Sequence, residues 1–147
     1  MSITNLFALL CFSQDAGIRV KHFNLDDEVA IHCYDPVAYF NQAKAIKGKK
    51  DIAISHQGIT YYFATAGNKE AFRKNPSVYE PQYGGWCAYA MGSDGSKVDV
   101  DPGTFKIINN KLYLFYNKFF NNTLKTWNKD EVKLKQNADA NWHKLFK

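Results

Sequence analysis

The sequence predicts an α+β fold: a small single domain with two β-hairpins, short helices and a C-terminal helical segment. Three observations carry that expectation. Two pairs of apolar runs are each joined by a two-residue turn of the kind that reverses a strand. Several segments open with capping residues or proline, the chemistry of helix starts. The tail spaces its large apolar residues at helical intervals.

The chain of 147 residues has the length of one domain with one sizeable core. A hydrophobic content of 46%, with 16% aromatic residues, excludes a disordered or fibrous class. The net charge of +5 comes from lysines scattered among acids, with no basic stripe along one helix, so no nucleic-acid partner is expected. Residues 1–17 stand apart from the domain at 18–147. Ile3–Phe12 is an apolar run of signal-peptide length, too short to span a bilayer, with small residues after it and no Lys or Arg before it. The expectation is an exported protein, periplasmic or extracellular. The alternative is an apolar first element docked on the core of a cytoplasmic one. No stable membrane insertion is expected of the remainder.

Taken in order, Ile18–Phe23 alternates loosely and suggests an edge strand, followed by an acidic turn at Asn24–Glu28 and a short strand at Val29–Tyr34. Asp35-Pro36 then starts a brief helix over Val37–Phe40. Ile52–His56 and Ile59–Phe63 form a hairpin about Gln57-Gly58, with Ile54 and His56 on the face of Ile59 and Tyr61. Thr65 caps a helix over Ala66–Lys74, which Asn75-Pro76 ends. Phe105–Ile108 and Leu112–Tyr116 form the second hairpin, turned at Asn109-Asn110, both of which tolerate positive φ. Asn117–Lys147 reads as helical, with Phe119, Phe120, Leu124 and Trp127 as a buried stripe and Trp142 and Leu145 as its end anchor.

The functional reading centres on Glu80–Met91. Here Gly84-Gly85 permits unusual backbone or close approach, amid three aromatic rings, a thiol and a thioether. The stretch reads as a buried connection with a small pocket beside it, lined by Tyr34, Asp35, Tyr83, Gly84, Gly85, Trp86 and Tyr89. Hydrolytic catalysis finds little support: Ser55 and His56 point to opposite faces of a strand, and the N-cap position of Asp35 explains its carboxylate.

Several motifs resemble the stand-alone YHS domain proteins. Tyr34-Asp35-Pro36-Val37-Ala38-Tyr39-Phe40 is similar to their Y-D-P-V-A-Y-F opening, and Gly58, Tyr61, Phe63, Phe72, Pro76 and Tyr79 keep the following spacing. Pro81-Gln82-Tyr83-Gly84-Gly85-Trp86-Cys87-Ala88-Tyr89-Ala90 continues it, as do Lys111-Leu112-Tyr113-Leu114 and Ala138-Asp139-Ala140-Asn141-Trp142. The resemblance implies a small α+β module, of a kind sometimes attached to copper-transporting ATPases and associated with metals. The metal-linked versions carry a cysteine pair after the Y-x-F strand; Ala64–Asn68 has none, and Ser55 stands where many relatives have histidine.

Soft side chains suit Cu(I), so a copper site would draw on Cys87 and Met91, with Cys33, His32 and His56. Each has a plainer reading. Cys87 serves equally as a buried apolar residue or as half of a bridge to Cys33, His56 as a strand end, and Met91 as a gap-filler. The expected function is a non-enzymatic metal-handling module. The alternatives are a small-molecule binder using the aromatic pocket and a thiol redox protein.

Overall fold

The structure is a computed structural model that describes residues 15–147, so the expectation for the apolar run Ile3–Phe12 lies outside the described residues. The α+β class holds. A first helix, α1, covers residues 15–22. One four-stranded sheet has the order β1-β2-β4-β3, from Leu25–Asp26, Val29–Ala30, Ile59–Phe63 and Lys49–His56. A ribbon of β5 (Asp101–Ile108) and β6 (Lys111–Phe115) and a two-residue pair, β7 (Asn117–Lys118) and β8 (Asn121–Asn122), complete the strands. The remaining helices are α2 (Ala38–Asn41), α3 (Ala66–Lys74), α4 (Pro76–Tyr79), α5 (Ala88–Ser93), α6 (Thr123–Lys129) and α7 (Glu131–Lys144).

The local chemistry that marked the hairpins and helix α3 is what forms them. His56 pairs with Ile59 and Ile54 with Tyr61 across Gln57-Gly58. Ile108 pairs with Lys111 across Asn109 and Asn110, at φ 51° and 60°. The Thr65 hydroxyl accepts the Asn68 N–H at 3.1 Å and caps α3.

Three expectations fail. Residues 18–23 are the end of a helix and then a bend rather than an edge strand, because Arg19 donates to Glu80 (2.6 Å) and stacks on Phe23, drawing the segment into a coil. The strand at Val29–Tyr34 stops at Ala30, and Ile31, His32 and Cys33 make one left-handed turn with φ between 48° and 72°. Asn117–Lys147 begins with the β7–β8 hairpin rather than a helix, and Phe119 and Phe120 are exposed at its tip rather than buried.

The β6 strand organises the interior because it is covered on both faces. Leu112 and Leu114 enter one core with Ile59, Tyr61, Phe63 and Phe72, while Tyr113 and Phe115 enter a second with Tyr83, Met91 and Trp127. Helices α5 and α7 close the second core by direct backbone approach: a Cβ on Gly92 would lie 2.3 Å from the Leu134 carbonyl oxygen. Trp127 donates its indole N–H to Glu131.

Asp35 joins the parts of the first core. It is fully buried, and its Oδ1 accepts the N–H groups of Val37 (2.8 Å) and Ala38 (3.3 Å) at the start of α2. Its Oδ2 accepts the Ala64 N–H at the end of β4 and the Asn68 side-chain N–H on α3, each at 2.8 Å. Each buried donor stranded without an acceptor costs about 1–3 kcal/mol. Asp35→Ala is therefore expected to lower the unfolding free energy by roughly 3 kcal/mol or more, read as a lower urea midpoint at unchanged slope. A midpoint within error of wild type would show that the four donors find other partners.

Candidate functional site

The Tyr83-Gly84-Gly85 turn delivers Cys87 to its position. These three residues are left-handed, at φ 56°, 59° and 86°. Cys87 then precedes α5, donates its N–H to the Val98 carbonyl (2.8 Å) and accepts the Met91 N–H (3.0 Å). The chain itself takes the space at Gly84, and beside it a hollow of about 340 Å³ remains, lined by Arg19, Phe23, Gln82, Tyr83, Asp139 and Trp142, among others. A Cβ on Gly84 would meet the Trp142 ring at 2.7 Å and Phe23 at 3.0 Å, so the absent side chain accommodates α7 and the end of α1. The Tyr83 hydroxyl donates to Asp139 (2.7 Å) and the Trp86 N–H to the His22 carbonyl (2.6 Å). Tyr34 lies half-buried near Lys47, and Asp35 is the structural cap described above.

An open hollow lies on the other side of the turn. It has a volume of about 300 Å³ and is lined by Cys87, Tyr89, Asp94, Tyr116, Asn121 and Thr123, among others. Of the residues expected around a ligand pocket, Tyr89 is the one that lines it. Cys87 is fully buried at its inner end. Asp94 sits at the rim, where hydrogen bonds from the Ser96 hydroxyl and N–H hold its carboxyl below the usual range and keep it anionic.

The thiol belongs to a closed ring of hydrogen bonds. The Tyr116 N–H donates to Sγ (3.3 Å), and the Thr123 hydroxyl donates to the Tyr116 carbonyl (2.7 Å). A hydroxyl carries a single proton, so the 3.4 Å contact between Sγ and Thr123 Oγ1 is donated by the thiol. A metal at Sγ would remove the thiol proton and leave two lone-pair groups facing each other.

The other proposed copper ligands are committed elsewhere. Both ring nitrogens of His32 face carboxylates, Nδ1 to Asp26 (2.5 Å) and Nε2 to Asp99 (2.7 Å). His56 lies 3.8 Å from Glu80 with its ring edge-on to Phe72. Met91 is buried in the second core, and Cys33 is half-buried and free, so no bridge joins it to Cys87. Among the described residues no group of three His, Cys, Asp or Glu side chains is placed to hold a metal ion. The residues present do not fit a resident copper ion.

Tyr116, Asn121 and Thr123 were not identifiable as site residues. Tyr116 reads as the end of a strand and Asn121 and Thr123 as helix, and only the packing of this segment against Cys87 reveals them. Comparison with known proteins returns no match to a family model, a curated protein or a solved structure.

The His32 clasp makes a testable statement about pH. Burial works to lower the imidazole pKa, but hydrogen bonds and charge from Asp99 and Asp26 outweigh it and raise the pKa above 6.5. A group whose pKa rises on folding stabilises fully below its unfolded value and loses that contribution as pH climbs through the folded one. The stability difference between wild type and His32→Gln is thus expected to be largest below pH 6.5 and to shrink above it. A difference independent of pH would remove the clasp.

Proposed function

We propose that the protein is a non-enzymatic binding module that holds a small organic molecule in the Cys87 hollow. The observation that carries this reading is the hollow itself. Its volume of about 300 Å³ sits at the lower end of ligand sites, and it joins two tyrosines to a few polar groups. The hydrogen-bond ring around Sγ favours this reading over metal or thiol redox chemistry, because both require loss of the proton that the thiol directs at Thr123. The anionic Asp94 at the rim favours a ligand with an apolar or aromatic body and an amine or other donor.

Phenylethylamine and phenylacetate are matched probes of that chemistry. The amine is expected to shift the backbone resonances of Tyr89, Tyr116 and Thr123 in a saturable manner, and the acid is expected to leave them in place. Asp94→Asn is expected to weaken the amine by up to about fivefold, the range for an exposed ion pair. Shifts confined to other surfaces would remove the ligand reading. Stoichiometric Cu(I) binding that disappears in Cys87→Ser would replace it with the metal reading.

A further inference from the structure

The tip of the β7–β8 hairpin sets bulky rings on left-handed backbone without covering them. Phe119 and Phe120 occupy its two turn positions with φ of 53° and 63°. Such turns ordinarily take Asn or Gly, and bulky residues there are uncommon. The same chain places Asn109 and Asn110 at the matching positions of the β5–β6 turn. Burial would offset the unfavourable backbone, yet the relative exposures of the two rings are 89% and 110%. The tip has two aromatic rings in strained positions and no contact within the fold that explains them.

Charge points to what covers the tip. Residues 106–147 hold nine lysines against three acids, a net of +6, which leaves −1 for residues 1–105. Among the described residues the three most exposed large apolar side chains, Phe119, Phe120 and Val132, all lie in this basic part. Among the described residues, Lys106 pairs with Glu131 and Lys135 with Asp139, while Lys118 and Lys125, which flank the tip in sequence, form no ion pair. The acids that line hollows together with residues of the hairpin are held locally. Asp99 binds His32 and Asn24, Asp101 accepts from Thr104, and Asp94 accepts from Ser96.

We infer that this hairpin is a peripheral membrane anchor: Phe119 and Phe120 enter the interface of an anionic bilayer while the surrounding lysines face its headgroups. No described helix is long and apolar enough to cross a membrane, and docking of this kind needs none. Apolar burial supplies affinity, and basic residues near anionic lipid add to it in a salt-dependent way. The inference is independent of the Cys87 hollow.

The test is co-sedimentation of the full chain with vesicles of phosphatidylcholine, with and without phosphatidylserine, at low and high salt. Wild type is expected to pellet with the anionic vesicles, to bind neutral ones weakly and to be released by salt. Phe119→Asn/Phe120→Gly restores ordinary turn chemistry, so it is expected to unfold at a temperature at or above that of wild type. It is nevertheless expected to bind anionic vesicles about tenfold more weakly per ring removed. Lys118→Glu/Lys125→Glu is expected to lose the preference for anionic lipid. Undiminished binding by the Asn-Gly variant overturns the inference, since another segment would then be the anchor. Wild-type indifference to both vesicles overturns it too. If such a chain self-associates through these phenylalanines, the partner is a second copy instead.

Discussion

One buried carboxylate holds the first core in register. The donors around Asp35 come from three successive elements, the start of α2, the end of β4 and the first turn of α3. None of these short elements has enough length to be stable alone. A buried acid with four donors is satisfied only when all three are in place, so it selects one arrangement as well as stabilising it. Packing then follows from that arrangement. Tyr39, on α2, reaches the Pro102 carbonyl (2.7 Å), and Phe72, on α3, meets Tyr61 and Phe63.

Two left-handed turns extend the body from there, and they are tied to each other. Asn24 donates its backbone N–H to Gly84 and its side chain to Gly85, and the same amide reaches Asp99. Asp99 also receives His32, so one carboxylate links the turn at Ile31–Cys33 to the turn at Tyr83–Gly85. Left-handed backbone costs a non-glycine residue on the order of 1–2 kcal/mol. At Ile31 and Tyr83, both buried, packing offsets that cost. Phe119 and Phe120 have the same backbone without the packing, which is what separates their turn from the other two.

Around Cys87 one strand leads from the two cores to the wall of the hollow. After Phe115, β6 leaves the two cores, and Tyr116 turns its N–H and carbonyl toward the thiol and Thr123. Those bonds satisfy a buried sulfur and also fix the wall of a hollow that opens to solvent. Neither Gly84 nor Gly85 lines the hollow at whose inner end Cys87 lies.

Local chemistry was enough for the parts whose partners are near in sequence. The hairpin at Gln57-Gly58, the Asn109-Asn110 turn, the Thr65 cap and the Asp35 helix start all depend on neighbours a few residues away, and their residue types declare them. What needed the tertiary structure depends on distant groups. Residues 15–22 coil because Glu80, held by the Tyr61 hydroxyl, accepts from Arg19, and the Ile31–Cys33 turn persists because Asp99 lies across from His32. The glycines at 84 and 85 announced a close approach, but their spacing did not say whether a ligand or Trp142 would make it. The same limit hid the hollow and the exposed phenylalanines: an apolar residue looks alike in sequence whether its ring is covered or bare, and only the folded chain decides which.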